Sequence, residues 1–427
     1  ELSQMIKDDM KPALGVTEPG AIAFAVAKAR SFTKGDIKKV NVAMNSGMYK
    51  NAFTCGIPNS NEVGNVFAAA LGVVAGNADK GLESLADVTP EDNVKAQEMI
   101  DQGKVTVELS GITSRIFIEA TVETEEDKAI VTIRDSHTNI TKITVNDKVE
   151  LETEDEKKTE EDGGEEEAHS IHKYTLQQLY DYVTTVDIEE IRFINEAYKV
   201  NLELFHEGLE NPRTTFARQL LAINNGKEVS DDEQKTASLM CNAAIEARVI
   251  GLDKPAMSIT GSGAHGIIAT MPLYAAYKVN GYTEEQLLRA TALSYLVCMY
   301  IKEYSGRLSA FCGCAIAAGS GMACALVYLR GGTVEMMAHT LNNMASSITG
   351  MICDGGNQGC TMKGVAAVDA AYKSVEFAMN GIYISEVHGI NGNTPEETMR
   401  NMGLIASPGM VGTEKTIVEI FEDKLKK

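Results

Sequence analysis

An acidic run divides the chain into two parts of different character. Residues Glu150–Glu167 include the sequence ETEDEKKTEEDGGEEE, in which negative charge predominates and two glycines interrupt any regular element. Such a segment cannot bury apolar surface, and we expect it to be a solvated linker. The run therefore predicts two domains, residues 1–170 and residues 171–427, in an α+β fold.

The part before the linker has the alternating pattern of β-strands. Between Val105 and Val149, the segments VTVEL, RIFIEATVE, AIVTIR and KITVND are rich in β-branched residues and are separated by short polar turns. Upstream, Ala21–Arg30 and Val63–Ala75 indicate helices of small apolar residues. We therefore expect a mixed α/β domain with an antiparallel sheet.

The part after the linker has the periodicity of helices. Asp187 and Glu190 are spaced as a capping box ahead of an apolar run that ends near Gly208. Further helices are predicted at Asp232–Ile250, Thr283–Lys302, Ala315–Leu329, Val334–Thr349 and Val365–Asn380. Many of their positions are Ala, Gly or Ser, so we expect closely packed helices in a mainly helical domain.

The charge balance excludes some classes of partner. The chain has 60 acidic against 39 basic residues, a formal net charge of −21, which repels nucleic acid and anionic membrane faces.

No apolar run approaches the roughly 18 residues that a membrane span requires, and Glu1–Lys11 lacks the apolar core of a signal peptide. With eight cysteines and no secretion signal, we expect reduced thiols and a cytoplasmic protein.

Two segments are candidates for anion binding. Thr17, Glu18 and Pro19 precede an apolar run and predict a capped helix, with Thr17 as the N-cap, whose free N–H groups would face a carboxylate. The segment Ser258–Gly266 has three glycines in six positions, which allows close approach of the backbone to a ligand. His265 lies within it. The alternatives are a well-capped helix and an ordinary glycine-rich turn.

A third segment combines lysine, asparagine and glycine. Residues Asn45–Asn51 read as a polar loop, followed closely by Cys55. A polar loop without function is one interpretation. In the other, the Lys50 and Asn51 side chains bind the carboxylate of an amino acid.

Four cysteines form the last candidate site. Cys312 and Cys314 flank one glycine, and Cys353 and Cys360 enclose the six residues DGGNQG. Thiolates on such loops are the ligands of iron–sulfur clusters and of zinc. A closed four-thiolate zinc site is one alternative, although the six-residue gap fits the usual spacing poorly. A cluster held by three cysteines would instead leave one iron open as a Lewis acid. The apolar surroundings of Cys241, Cys298 and Cys324 indicate buried structural thiols.

These segments together resemble a known family. KPALGVTEP, MYKNAFTCGIP, SITGSGAHGIIATMP, SAFCGCAIAAG and MICDGGNQGCTMKGVAAVDAA, in this order, are similar to the L-cysteine desulfidase family, which is related to the alpha chain of the iron–sulfur L-serine dehydratases. The resemblance implies a 4Fe-4S cluster on Cys353, Cys360 and one of Cys312 or Cys314, with Cys314 favoured. It also implies β-elimination from L-cysteine or L-serine, giving pyruvate and ammonia with sulfide or water, without pyridoxal phosphate.

Ligand sites favour domain interfaces, and these motifs come from both sides of the linker, so we expect the site to lie between the two domains. The N-terminal domain would bind the amino acid and the C-terminal domain the cluster. The expected substrate-binding residues are Thr17, Glu18, Asn51, Gly261, Ser262 and Gly263. A second copy of the chain is a further expected partner, in a homodimer.

Two positions depart from the family pattern. The family usually has cysteine where this chain has Val16, and asparagine where it has Ala264. Valine cannot transfer a proton, so Cys55, His265 and Lys50 are the candidate bases. The departures leave two alternatives to a lyase: a paralogue that binds a cluster or an amino acid without turnover, and a structural zinc protein.

Overall fold

The computed structural model describes residues 1–153, 170–306 and 308–426. Residues 154–167 of the predicted linker lie outside the described residues, and the division into two domains stays a prediction. The helices of the first part are α1 (Leu2–Asp9), α2 (Thr17–Arg30), α3 (Ser46–Ala52), α4 (Asn65–Ala75) and α5 (Pro90–Asp101). Those of the second part are α6 (Leu176–Thr185), α7 (Ile188–Ile191), α8 (Asn195–Glu210), α9 (Phe216–Ile223), α10 (Glu233–Val249), α11 (Gly263–Asn280), α12 (Glu284–Ser305), α13 (Gly319–Leu329), α14 (Val334–Ile348), α15 (Gly359–Met379), α16 (Pro395–Leu404) and α17 (Val411–Leu425).

Shorter helical segments complete the backbone. The 3₁₀ segments are Ala78–Glu83, Ser170–Lys173 and Arg192–Ile194, and the π-helical segments are Cys314–Ala318 and Ile405–Gly409. The strands are β1 (Lys11–Leu14), β2 (Ile37–Asn45), β3 (Val105–Gly111), β4 (Phe117–Thr124), β5 (Lys128–Arg134), β6 (Ile140–Val145), β7 (Lys148–Glu152) and β8 (Pro255–Ser258). The α+β fold class is confirmed. None of the described helices has the length and apolar character needed to cross a bilayer.

Six strands form one sheet in the order β3-β2-β4-β5-β6-β7. Side chains of β4 are alternately buried and half-buried, so one face of this strand contributes fully to the core. The sheet is antiparallel as predicted, except that β2 runs parallel to β3, with Val40 opposite Val105. The exception arises because α3, α4 and α5 form a crossover between these two strands, and a crossover of this kind permits a parallel pair.

A two-stranded antiparallel sheet joins the two parts of the chain. In it β1 pairs with β8, and Lys11 lies opposite Ser258. The pairing brings Gly15–Gly20, which directly follows β1, beside the glycine-rich segment that follows β8. One cluster of buried apolar side chains extends through both parts, from Leu2 to Val418. The two predicted anion-binding segments are therefore neighbours in the fold.

The helices predicted in the second part are confirmed with small changes of boundary. The predicted capping box of Asp187 and Glu190 is wrong. Asp187 caps α7 by accepting a hydrogen bond from the Glu189 N–H, while the Glu190 carboxylate accepts one from the Ser3 hydroxyl. The apolar run is divided by a 3₁₀ turn before α8 begins at Asn195.

Two local predictions in the first part are also wrong. Residues Asn45–Asn51 are not a polar loop, since α3 begins at Ser46 and six of its seven residues are buried. Thr17 is not the N-cap of α2, because Val16 occupies that position and the Thr17 hydroxyl donates a hydrogen bond to the Gly261 carbonyl at 3.3 Å. In both cases contacts with distant segments replace the local arrangement that the sequence suggested.

Candidate functional site

A small cavity lies where the predicted segments meet. Its volume is about 60 Å³, and its walls come from α2, α3, the β5–β6 turn, α10, the glycine-rich segment, α12 and both cysteine segments. The predicted site residues on its wall are Glu18, Asn51, Gly261, Ser262, His265, Cys314, Cys353 and Cys360, and both departing positions, Val16 and Ala264, are there too. A larger cavity of about 640 Å³, between α5 and the end of α8, contains none of the predicted site residues.

The two cysteine segments are held together by backbone hydrogen bonds. The Cys312 N–H donates to the Met351 carbonyl at 3.0 Å, and the Cys353 N–H donates to the Ala310 carbonyl at 2.7 Å. Directly after Gly313, the backbone makes a π-helical turn beginning at Cys314, a feature frequent at functional sites. Cys360 lies in the first turn of α15. Cys314 and Cys360, which are 46 positions apart in the chain, thus line the same wall of the cavity.

The thiols differ in environment. The hydrogen bond between the Cys312 and Cys314 thiols lowers the pKa of Cys312 and raises that of Cys314. Burial raises the pKa of Cys360 to about 11. Cys314, Cys353 and Cys360 lie on the cavity wall, whereas Cys312 is buried away from it.

The donor set agrees with a group held by three thiolates. Three cysteines line one cavity, thiolates are the ligands of iron–sulfur clusters and of zinc, and the fourth thiol is not on this wall. Within residues 1–153, 170–306 and 308–426, no three His, Cys, Asp or Glu side chains converge closely enough to hold a metal ion as they stand. The three thiols line the same cavity without forming such a group.

The glycines of the second cysteine segment are required by close packing. Gly355 has φ +108°, and a Cβ atom there would lie 2.5 Å from the Lys50 carbonyl oxygen. A Cβ atom on Gly356 would lie 2.6 Å from Cγ1 of Val16, and the Gly356 N–H donates to the Asn51 carbonyl at 3.0 Å. Val16 therefore packs directly against the backbone that presents Cys353 and Cys360.

The same cavity contains a buried carboxylate with polar neighbours, one of which, Asn51, also accepts a hydrogen bond from the Cys353 thiol at 3.8 Å. Oε1 of Glu18 accepts a hydrogen bond from Asn51 Nδ2 at 3.0 Å and lies 3.6 Å from Nε2 of His137. Burial opposes ionisation of Glu18, but His137, Asn51 and the charge of Arg248 together lower its pKa to about 2. Glu18 is therefore a carboxylate at neutral pH.

Arg248 reaches the same cavity from the last turn of α10. Its side chain is buried, and its Nε has no hydrogen-bond partner among the described residues. A Cβ atom on Gly263 would lie 2.7 Å from this Nε, so the glycine makes room for the guanidinium. Gly263 itself is not on the cavity wall, and its part in the site is to admit Arg248.

Of the three predicted bases, only His265 lies on the cavity wall. Its Nδ1 is 2.5 Å from the Thr260 hydroxyl. Burial, with Lys302 and Arg248 nearby, lowers the pKa of His265 well below 6.5. A Cβ atom on Gly313 would lie 2.7 Å from Nε2 of His265, so this ring packs against the first cysteine segment.

Lys50 and Cys55 are placed elsewhere. The Lys50 ammonium donates to Oε2 of Glu414 at 2.9 Å and to the Ser309 carbonyl at 2.8 Å. Burial lowers its pKa, but Cys353 and Glu414 raise it by more, so Lys50 is a cation and not a base. The Cys55 thiol is fully buried, donates to the Ala52 carbonyl, and has a pKa raised well above its ordinary value by burial. Thr17 is likewise absent from the wall and joins α2 to the glycine-rich segment.

Sequence reasoning missed three charged or titratable residues of the cavity wall: His137, Arg248 and Lys302. His137 is in a polar turn of the sheet, and the two cations are in helices, where such residues are usually exposed. An arginine near the end of a helix does not by itself indicate that its side chain is buried. Their role depends on tertiary packing, which the local pattern does not encode.

The site is a thiol-lined cavity with a buried carboxylate and buried cations, between a mixed sheet and a group of helices. Residues 79–419 match the family described as serine dehydratase alpha chain, and the chain belongs to this family. A UPF0597 protein of Clostridium botulinum is 40% identical over 99% of this chain and 98% of its own length. UPF0597 proteins of Caldanaerobacter subterraneus and Bacteroides fragilis, at 37% and 33% identity, also match over 99% of this chain and 98% of their own. The resemblance to the serine dehydratase alpha chain is thus confirmed.

Proposed function

We propose that this protein is an iron–sulfur lyase that removes the β-substituent of a small amino acid. The products would be pyruvate, ammonia and sulfide from L-cysteine, or pyruvate, ammonia and water from L-serine. The observation that supports this most is that Cys314, Cys353 and Cys360 line the same small cavity as Glu18 and Arg248. Membership of the serine dehydratase alpha chain family supports the same class of reaction.

The proposed cluster would be held by Cys314, Cys353 and Cys360. When bound, it supplies a Lewis acid for the leaving group. Cys312 shares a hydrogen bond with Cys314 and would support that thiol. Gly355 and Gly356 keep the backbone of the second cysteine segment against α3 and Val16.

The charged residues on the cavity wall suit a zwitterionic amino acid. Arg248, whose Nε is unpartnered among the described residues, would bind the α-carboxylate by charge-assisted hydrogen bonds. Glu18, held by Asn51, would receive the α-ammonium group. The β-substituent would then face the cysteine wall. Burial of the cavity excludes bulk water and strengthens both ionic contacts.

Binding without turnover is a second candidate function. It is favoured by Val16, which stands on the cavity wall where the family usually has a thiol and cannot transfer a proton. The two candidates share the cavity and its ligands. They differ in whether the bound amino acid loses its α-proton.

The test is anaerobic reconstitution of the full chain with iron and sulfide, followed by assays of pyruvate from L-cysteine and L-serine. Iron, acid-labile sulfide and zinc are measured on the same sample. The lyase predicts iron with sulfide and pyruvate release that Cys353→Ser abolishes and Cys241→Ser, a change in a buried helix, leaves intact. Iron and amino-acid binding without pyruvate would favour the second candidate. Zinc without sulfide would contradict both.

A further inference from the structure

Among the described residues, His137 is the one contribution of the sheet to the cavity wall. His137 lies in the turn between β5 and β6, and its side chain is only 7% exposed. Its Nε2 has no hydrogen-bond partner among the described residues and lies 3.6 Å from Oε1 of Glu18. A buried ring nitrogen without a partner is costly to maintain, which indicates that it has a use when the cavity is filled.

The other groups that could accept a proton in this cavity are less suitable. Lys50 is paired with Glu414, and Cys55 is not on the wall. The Nδ1 of His265 is bonded to Thr260, and its Nε2 faces the backbone of Gly313. Glu18 is the carboxylate that we assign to the ammonium group of the substrate. Lys302 is also on the wall, beside the proposed ligand Cys314, and is the remaining candidate. Among these described groups, His137 combines a ring nitrogen without a hydrogen-bond partner with a carboxylate 3.6 Å away.

We infer that His137 is the acid–base catalyst of the site and takes the place of the thiol that Val16 does not supply. The inference rests on the proposed function and names the residue that moves the proton. In the step, the Cα–H bond breaks and its proton passes to Nε2 of His137. The electron pair forms the Cα=Cβ bond as the bond from Cβ to oxygen or sulfur breaks. The leaving hydroxide or hydrosulfide takes the proton back, giving water or hydrogen sulfide and the aminoacrylate, which water converts to pyruvate and ammonia.

One neighbouring charge, the Glu18 carboxylate, favours this assignment. The carboxylate of Glu18 stabilises the positive charge that His137 acquires in the step. The remaining charged or titratable groups on the wall are Arg248, His265, Lys302, Cys314, Cys353 and Cys360. Glu18 thus acts as a positioning residue for His137, in addition to binding the ammonium group.

The test uses the reconstituted full chain and L-alanine, which has an α-proton but no leaving group. Exchange of that proton in deuterium oxide is followed by NMR, separately from pyruvate release from L-serine. His137→Asn should lower both rates by about 10²–10⁴-fold, the usual worth of a general acid–base. Iron and sulfide contents should match those of the unsubstituted protein. His206→Asn, at an exposed histidine, is the matched control and should change neither rate.

Two further variants separate a catalytic from a structural role. His137→Ala opens space in the cavity, and free imidazole in solution should restore part of the exchange rate, which a misfolded protein would not allow. Glu18→Gln keeps the size of the side chain and should also slow exchange.

The outcomes distinguish this inference from the proposed function. Exchange that depends on His137, without pyruvate release, would uphold the acid–base role and contradict the lyase. Pyruvate release that His137→Asn leaves at full rate would overturn the acid–base role and leave the lyase standing. If the reconstituted protein neither exchanges the proton nor releases pyruvate, both are overturned.

Discussion

The Nζ atom of Lys50 lies 2.9 Å from Oε2 of Glu414, and both side chains are buried. The two residues are 364 positions apart, on α3 and on the last helix, α17. Lys50 also donates to the Ser309 carbonyl, which precedes the first cysteine segment. The pair therefore fastens the C-terminal helix to the two segments that present the site.

Loss of one partner of this ion pair should destabilise the protein strongly. Lys50→Met or Glu414→Met leaves the partner's buried charge uncompensated, at a cost of about 3–5 kcal/mol. The double variant Lys50→Met/Glu414→Met leaves no uncompensated charge and should cost less than the sum of the single changes. Urea unfolding of the four proteins measures this. Additive effects would show that the two side chains are not coupled.

The fold could be predicted where local pattern and capping decide the structure. The helix predicted at Thr283–Lys302 is α12, and Thr283 and Gln286 form its capping box. The strands between Val105 and Val149 follow from their alternation. Strand β2 lies inside the sheet but is not recognisable from the sequence. Its first residues are charged, and its alternation becomes apparent only once its pairing with a strand on each side is known.

The site could be predicted only in part, because some of its residues are brought together by long-range packing and not by local pattern. The glycine and cysteine segments are recognisable because their residue types are unusual in any loop. Arg248 and His137 are ordinary residues in a helix and a turn, and only the pairing of β1 with β8 and the position of the sheet bury them. Lys50 was assigned to the substrate because its partner, Glu414, lies too far along the chain to be related by pattern.

The ionisation of Glu18 should appear in the pH dependence of stability. Its pKa is lowered from 4.5 to about 2, so its contribution is present above pH 4.5 and is lost as pH falls towards 2. The shift corresponds to about 3 kcal/mol in the free energy of unfolding. Glu18→Gln should remove this component between pH 4.5 and 2, whereas Glu335→Gln, at an exposed position, should not. Parallel curves for Glu18→Gln and the unsubstituted protein would contradict the assignment.

The thiols should not be equivalent in metal binding. Cys314→Ser, Cys353→Ser and Cys360→Ser each remove a thiol from the cavity wall and should abolish iron uptake on anaerobic reconstitution. Cys312→Ser removes a thiol buried away from the wall and should retain most of the iron. Iron and sulfide analysis, with the visible absorption of the cluster, measures this. Equal loss from all four variants would instead indicate a closed four-cysteine site.

Arg248 should determine the affinity for the carboxylate of the ligand. Arg248→Lys keeps a charge but not the planar, forked donor geometry, and should weaken binding of L-alanine by about 10–100-fold, the worth of one or two charge-assisted hydrogen bonds. Calorimetry compares L-alanine with ethylamine, which lacks the carboxylate. Arg218→Lys, on α9 and outside the cavity lining, is the matched control. An unchanged affinity for L-alanine would remove Arg248 from the binding site.

The last prediction joins Val16 to His137. Val16 lines the cavity and packs against Gly356, so Val16→Cys would place a thiol beside the cysteine wall without enlarging the side chain. If His137 performs the proton transfer, Val16→Cys should add little to the unsubstituted protein. In the His137→Asn background, the new thiol should restore a measurable part of the lost factor of about 10²–10⁴. The measurement is proton exchange of L-alanine by the reconstituted single and double variants, with Val16→Ser as the control for size and polarity. A large gain from Val16→Cys alone, with no dependence on His137, would mean that the site lacks its acid–base residue and that His137 is not the substitute.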